Sequence, residues 1–251
     1  MNEAVKNQNR PGDLPRRLTA EAVGTAMLLA AVVGSGIMGE RLSGGNVAIA
    51  LLANTIATAA ALVALILTFG PISGAHFNPV VSMADASQGG LEWRQVPGYV
   101  AAQILGAVAG VWIAHVMFGE RVLMLSIHAR SGPAQMVSEF VATFGLLSVI
   151  LGCSRRRPDA VPFAVAAYIA AAYWFTASTS FANPAVTLAR ALTDTFAGIR
   201  PADVPAFILA QLAGATGATL LFRWLVDRPL VPGLPRVAEQ VVMPRSETSA
   251  S

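Results

Sequence analysis

The sequence contains a single cysteine, Cys153, so it can form no disulfide within the chain and no metal site built from a cysteine cluster. Histidine is also scarce, and the three residues His76, His115 and His128 show no spacing typical of metal ligands. No nucleophile, base and orienting group share a plausible site. We therefore expect no enzyme activity, no bound metal and no cofactor.

Charged residues are few, and hydrophobic residues dominate. Only 12% of the 251 residues are charged, 55% are hydrophobic, and the mean hydropathy is +0.59. This composition is typical of a protein that crosses a lipid bilayer several times. An isoelectric point near 9.6 would suggest nucleic-acid binding in a soluble domain, but arginines that hold cytoplasmic loops explain it better here. No nucleic-acid partner is expected.

Six hydrophobic stretches have about the length that a helix needs to cross a bilayer. The polar segment before the first stretch leads directly into it, so no cleavable signal peptide is visible and the first span is expected to remain as an anchor. The predicted spans are residues 18–38, 48–69, 96–117, 135–153, 161–177 and 204–225.

The dipeptide Asn-Pro occurs twice between apolar stretches, at Asn78-Pro79 and at Asn183-Pro184. Asparagine can cap free backbone N–H groups at a helix start, and proline at the first helical position loses no needed hydrogen bond. The apolar segments that follow, 80–86 and 185–192, are far shorter than the roughly 20 residues that span a bilayer. Each motif therefore predicts a helix that enters the membrane halfway and lines a water-filled path.

Six spans place both chain ends on one side of the membrane, and the basic residues indicate which side. Twelve of the 17 Lys and Arg residues fall in the tails or in loops on the same side, against five on the other side. The positive-inside rule predicts cytoplasmic termini, with the first half-helix entering from the cytoplasm and the second from outside. The tails, 1–17 and 229–251, are predicted to be poorly ordered around one domain, 18–228.

Three markers occur in the same order in both halves of the chain. Glu21-Ala-Val-Gly-Thr recurs as Glu139-Phe-Val-Ala-Thr, the Ala-Gln pair at Gln103 recurs at Gln211, and each half has one Asn-Pro. Three spans per repeat is an odd number, so the second copy must be inserted upside down, with the functional centre near the midplane. The two predicted repeats cover about residues 18–118 and 134–226.

The residues from Ser73 to Pro79, Ser-Gly-Ala-His-Phe-Asn-Pro, the second motif Asn183-Pro184-Ala185 and the repeated markers together resemble the aquaporins of the major intrinsic protein family. The segment 172–183 more narrowly resembles bacterial aquaporins found beside arsenic-resistance genes. The resemblance implies an all-α membrane fold of six transmembrane helices plus two half-spanning re-entrant helices in an inverted repeat. It also implies a multi-pass protein of the bacterial inner membrane and a homotetramer with one pore in each subunit.

The half-helices predict the chemistry at the centre of the pore. Two helix N-termini that meet at the midplane each carry about half a unit of positive charge, so a cation is repelled there. The side-chain amides of Asn78 and Asn183 can cap their helices and also donate to an oxygen that passes, since one amide carries two donors. A neutral hydroxylated solute can therefore cross.

Three ionisable residues are expected to support the pore. His76 is interpreted as a structural hydrogen-bonding group in the first half-helix loop. Glu21 and Glu139 are carboxylates inside apolar spans, and such groups need partners. In the resembling family the matching glutamates brace the half-helix loops through backbone N–H groups, and we favour this role over proton coupling.

The outer constriction is where the chain departs from the family pattern. Counting from each asparagine without gaps places its four positions at Thr58, Ala171, Ser180 and Val186. The family usually has arginine at the last position, and water-selective members carry a bulky aromatic and a histidine at the first two. Small side chains here predict a wide constriction that lacks the donors and charge of a guanidinium.

Two positions leave alternatives open. Arg190 lies one helical turn after Val186 on nearly the same face, so it can replace the missing arginine, although a rise of about 6 Å should take it past the narrowest point. Val80 stands where alanine is usual, and this change alters either the packing beneath the opposed half-helix or the selectivity of the pore.

A wide ring with two hydroxyls and no fixed cation predicts a passive channel for small uncharged solutes, namely water, glycerol-like polyols and neutral As(OH)₃ or small organoarsenicals. An ordinary water or glycerol channel without an arsenic role is the first alternative, and an inactive structural or junction protein is the second. A coupled transporter is disfavoured because it needs ionisable groups on the translocation path.

Overall fold

The structure is a computed structural model that describes residues 13–226, and within that range all regular secondary structure is helical. The predictions for the tails at 1–12 and 227–251 lie outside the described residues. The helices are α1 (Leu14–Leu42), α2 (Val47–Ser73), α3 (Pro79–Ser87), α4 (Val96–Phe118), α5 (Pro133–Ser154), α6 (Val161–Phe175), α7 (Pro184–Arg190) and α8 (Val204–Val226). Short 3-10 turns at Trp93–Gln95, Pro158–Ala160 and Pro201–Asp203 precede α4, α6 and α8.

Five helices, α1, α2, α4, α5 and α8, are long and apolar enough to cross a bilayer. The remaining predicted span, α6, has only 15 residues, and its own rise of about 23 Å is shorter than a hydrocarbon core of about 30 Å. The helix ends at Phe175 rather than at residue 177. Helix α1 begins at Leu14, inside the predicted tail, because Pro15 lies in its first turn, where a missing N–H costs nothing.

The two short helices begin where the Asn-Pro motifs predict. Helix α3 has nine residues and helix α7 has seven, and each starts at the proline of its motif. The Asn78 side chain accepts a hydrogen bond from the backbone N–H of Val80, at 3.1 Å. The Asn183 side chain accepts from Ala185 and Val186, at 3.0 and 3.3 Å. Each asparagine is therefore the N-cap of a helix too short to span the membrane.

The two halves of the chain pack in the same way. Helix α1 lies along α4, and helix α5 lies along α8. In each pair a glycine touches the backbone of the neighbouring helix: Gly106 faces the carbonyl of Ala22, and Gly214 faces the carbonyl of Phe140. A side chain at either position would overlap that backbone. These glycines thus serve close packing within the chain.

The surface and the interior have the polarity expected in a bilayer. Leu105 of α4 and Leu209 of α8 are 70% and 64% exposed. Glu21, Glu139 and Gln103 are instead fully buried. Apolar groups on the outside and hydrogen-bonded polar groups inside suit a protein surrounded by lipid.

Candidate channel site

A cavity of about 750 Å³ follows the inside of the helix bundle. One end is lined by residues at the start of α1 and the ends of α3 and α5, including Arg17, Gln88 and Arg155. The other end reaches Arg190, the last residue of α7. We call the Arg190 end the outer mouth, because the sequence predicts that it faces outside.

The two asparagines line this cavity and also hold the half-helices together. The Asn78 side-chain Nδ2 donates to the carbonyl of Ala182 at 2.8 Å, and the Asn183 Nδ2 donates to the carbonyl of Phe77 at 2.8 Å. Each amide has a second N–H, which can be offered to a solute in the cavity. The N-termini of α3 and α7 therefore meet at one point of the path, and their positive ends disfavour a cation there.

The first half-helix loop is held by Glu21. Its carboxylate accepts from the backbone N–H groups of His76 and Phe77 at 2.9 and 2.7 Å. The Ser73 hydroxyl and the Gln103 amide donate to the same carboxylate at 2.7 and 2.8 Å. Four donors satisfy the buried charge, so this side chain has the contacts that a bracing role requires.

Glu139 repeats this arrangement in the second half. It accepts from the backbone N–H groups of Phe181 and Ala182, each at 2.9 Å, and from the Gln211 amide at 2.6 Å. Gln211 also donates to the hydroxyl of Thr187, at 2.8 Å. The second loop is thus tied to α5, α7 and α8.

Both braced loops contain backbone conformations that side-chain-bearing residues seldom adopt. Such left-handed residues cost on the order of 1–3 kcal/mol each and persist only where surrounding contacts fix them. Here the glutamate hydrogen bonds fix two of these residues directly, Phe77 and Ala182. The positive φ angles are 49° at Ala75, 49° at Phe77, 59° at Thr179, 50° at Ser180 and 47° at Ala182.

His76 belongs to the first loop and touches the cavity. Its Nδ1 lies 3.1 Å from the Ser82 hydroxyl, and its Nε2 lies 3.5 Å from a carboxylate oxygen of Asp85. The ring also packs against Tyr99, with 5.4 Å between centroids. These contacts fit the predicted structural role.

The structure brings three of the four predicted constriction residues to the cavity. Thr58, Ser180 and Val186 line it and are buried. The Ser180 hydroxyl has no hydrogen-bond partner within residues 13–226. The oxygen is itself enclosed, and a buried hydroxyl without a partner costs about 1–3 kcal/mol.

Ala171 differs from the prediction. It is exposed and does not line the cavity, whereas Val165, Ile169 and Tyr173 of the same helix do. Two residues correspond to about 200° of rotation around an α-helix, so Ala171 lies on the face opposite to that of Ile169 and Tyr173. Counting back from Asn183 without gaps therefore chose the wrong helix face.

Tyr173 is the constriction residue that the counting missed. It is buried, lines the cavity, and its hydroxyl lies 3.4 Å from the Thr58 Oγ1. The constriction thus contains a phenol ring. It is therefore narrower than the constriction that the small side chains predict. A stripe of apolar residues at spacing four, Val165 and Ile169, leads to Tyr173 and was the available sequence signal.

Val80 is buried and does not line the cavity, whereas its neighbour Val81 does. This position fits the packing alternative for the change from alanine.

Two arginines lie at the outer mouth. The Arg190 guanidinium stacks on the Phe181 ring, with its central carbon 3.4 Å from the ring centroid, and its Nε donates to the carbonyl of Ala197. Arg130 approaches the same ring at 5.1 Å and donates from Nε to the carbonyl of Gly198 at 2.8 Å. Sequence reasoning considered Arg190 and gave no signal for Arg130, which comes from the loop 119–132 between α4 and α5.

The loop 119–132 is fixed over the outer mouth by acidic side chains. Asp194 accepts from the backbone N–H of Ile127 at 3.0 Å, and Asp203 accepts from that of Arg130 at 2.8 Å. The other carboxylate oxygen of Asp203 accepts from the Arg200 side chain at 2.8 Å. Asp203 therefore ties the backbone at Arg130 to the turn that precedes α8.

An inverted repeat whose two half-helices meet beside a cavity through the helix bundle defines a membrane channel of the aquaporin fold. The chain belongs to the major intrinsic protein family, MIP, which it matches over residues 10–161 and 155–249. This is a family of membrane channels rather than of enzymes, and its members pass water and small solutes.

Individual relatives agree with this assignment. The chain is 56% identical to aquaglyceroporin AqpS of Rhizobium meliloti (strain 1021) over 221 residues, which is 87% of this chain and 94% of the relative. It is 30% identical to aquaporin NIP1-4 of Oryza sativa subsp. japonica over 224 residues, 84% of this chain and 78% of the relative. The X-ray structure of the aquaglyceroporin from Plasmodium falciparum has the same fold, with a TM-score of 0.63, 20% identity, and coverage of 84% of this chain and 95% of that one.

Proposed function

We propose that this chain is a passive channel of the bacterial inner membrane for small uncharged solutes, namely glycerol-like polyols, neutral As(OH)₃, small organoarsenicals and water. We further propose that both termini are cytoplasmic and that the channel is a homotetramer with one pore in each subunit. The name of the relative from Rhizobium meliloti, an aquaglyceroporin, supports the polyol part of this proposal.

The observation that carries the proposal is the chemistry around Val186. Val186 makes one wall of the constriction apolar, and three hydroxyl-bearing residues, Thr58, Tyr173 and Ser180, line the same cavity. The Thr58 and Tyr173 oxygens are 3.4 Å apart, a long hydrogen bond, and the Ser180 hydroxyl has no partner within the described residues. A solute with several hydroxyls can bond to this set and turn its apolar side to Val186.

Neutrality of the solute follows from the centre of the path. The positive ends of α3 and α7 meet at Asn78 and Asn183, so a cation loses hydration there without gaining compensating ligands. The second N–H of each amide favours a solute oxygen.

Glycerol and arsenous acid share this chemistry, since both carry three hydroxyls and neither is charged at neutral pH. The arsenic part of the proposal rests on Val186 and on the resemblance of residues 172–183 to aquaporins beside arsenic-resistance genes. An ordinary water or glycerol channel is the second candidate, and the phenol of Tyr173 favours it because it narrows the constriction.

Parallel flux measurements test the proposal. Purified protein is reconstituted into vesicles, and light scattering follows the entrance of water, glycerol and arsenite. We expect all three to enter faster than in protein-free vesicles. If arsenite entered no faster than in protein-free vesicles while glycerol and water entered quickly, the ordinary water or glycerol channel would be the remaining candidate function. No acceleration of any solute would overturn the channel proposal and favour a structural protein.

A substitution at the constriction tests the assignment of the filter. Val186→Arg should reduce glycerol and arsenite flux at least about tenfold and water flux much less, because a guanidinium fills the apolar wall with a long charged group. Val186→Met is the matched control, since it adds length without charge. Equal loss of water and glycerol in Val186→Arg would contradict the assignment.

A further inference from the structure

The outer mouth contains two positive charges that no carboxylate neutralises. Among residues 13–226, neither Arg190 nor Arg130 forms an ion pair. Both guanidiniums instead approach the ring of Phe181 and donate to backbone carbonyls. Buried charges are normally paired, so two unpaired guanidiniums that share one ring call for a functional explanation.

Arg190 lies close to Val186, the position at which the family usually has its constriction arginine. It lines the same cavity as Val186 and follows it by one turn of α7, a rise of about 6 Å. The side chain is only 3% exposed. Its Nε is bonded to the protein, but its two Nη atoms make no hydrogen bond within residues 13–226, and neither is fully enclosed. The guanidinium therefore borders the cavity with two nitrogen atoms that have no protein partner within the described residues.

We propose that Arg190, with Arg130 behind it, provides the positive electrostatic barrier of the outer mouth in place of an arginine at position 186. The inference rests on the proposed channel function and concerns what the channel rejects. The positive charge then lies at the outer mouth rather than in the constriction itself, where Val186 forms an apolar wall. The channel can then admit a bulky neutral solute and still repel protons and metal cations.

The stack on Phe181 explains how the charge avoids blocking the path. A guanidinium that lies flat on an aromatic ring is held against the wall of the cavity, and the ring face stabilises it. Its position at the C-terminal end of α7 is also favourable for a cation. At a distance of about 6 Å and an intermediate dielectric constant, one fixed positive charge repels a cation strongly enough to lower its rate of passage by one to two powers of ten.

Cation leak and glycerol flux, measured on the same reconstituted vesicles, test the proposal. A pH-sensitive dye inside the vesicles reports proton leak under an imposed gradient. We expect Arg190→Met to raise proton leak at least about tenfold over wild type while glycerol flux persists, and Arg190→Lys, which keeps the charge, to leak far less. Arg41→Met is the control, because Arg41 is an exposed residue at the end of α1 that is paired with Glu120.

A second pair of variants leaves Arg190 and its contacts in place. Val186→Glu puts a carboxylate one turn from the guanidinium and should raise cation leak, whereas Val186→Gln, of the same size, should not. Equal leak in these two variants would overturn the proposal, as would Arg190→Met protein that conducts glycerol without increased leak. Equal leak in Arg190→Met and Arg190→Lys would assign Arg190 a bracing role instead. Failure of the channel function itself is distinct, because wild-type vesicles would then not conduct glycerol.

Discussion

Tyr173 contributes both a ring and a hydroxyl to the constriction, and the two effects can be separated. The ring limits the width, and the hydroxyl lies 3.4 Å from the Thr58 Oγ1. Tyr173→Phe keeps the ring and removes the donor. We expect glycerol and arsenite flux to fall about fivefold, since one hydrogen bond to the solute is worth about 1 kcal/mol, with a smaller change for water. Light scattering on vesicles measures the three rates.

An unchanged glycerol rate in Tyr173→Phe would show that the hydroxyl does not contact the solute. Thr68→Val is the matched control, because the Thr68 hydroxyl bonds within its own helix at the carbonyl of Ala64 and does not line the cavity.

The carboxylate of Glu139 is expected to stabilise the folded chain. Its two oxygens accept from the N–H groups of Phe181 and Ala182, so Glu139→Gln places an amide N–H₂ against one of these donors. We expect a loss of about 1–3 kcal/mol in stability, observed as a lower melting temperature in detergent. Glu92→Gln, at a surface ion pair with Arg94, should change the melting temperature little. Comparable melting of both variants would contradict the bracing role.

The sequence predicts helix boundaries well where a local motif determines the backbone conformation. Asn-Pro predicts both half-helix starts, because capping depends on neighbouring residues alone. The constriction is different, since its residues come from α2, α6, α7 and a loop, and their alignment depends on the phase of each helix. A two-residue error in α6 moved the prediction from Tyr173 to Ala171. Arg130 was not predictable, because its place depends on how the loop 119–132 folds back.

The helix phase of α6 gives a direct experiment. Ala171→Leu enlarges a residue that the structure places on the outer, exposed face, so glycerol flux should stay within about twofold of wild type. Tyr173→Ala enlarges the opening on the inner face and should raise the ratio of glycerol to water flux. A tenfold fall in glycerol flux caused by Ala171→Leu would restore Ala171 to the constriction.

For the whole molecule, the orientation in the membrane remains a prediction from basic residues, and the single cysteine offers a reporter for it. Cys153 is the penultimate residue of α5 and is half-buried, on the side predicted to be cytoplasmic. A membrane-impermeant maleimide should label it in inverted vesicles and not in intact spheroplasts. Ser43→Cys in a Cys153→Ser background lies just after α1, on the opposite side, and should show the reverse pattern. Labelling of Cys153 from outside would invert the proposed topology.

The exchange of hydrogen bonds between the two asparagines has a consequence for biosynthesis. Asn78 needs Ala182, and Asn183 needs Phe77, across 104 and 106 residues of chain. At a translation rate of about 5–20 residues per second, the first stub exists for roughly 5–20 s before its counterpart leaves the ribosome. During that interval the Asn78 amide at the start of α3 has no Ala182 carbonyl to which it can donate. We therefore expect a chain that stops before residue 182 to leave the Asn78 amide without this acceptor.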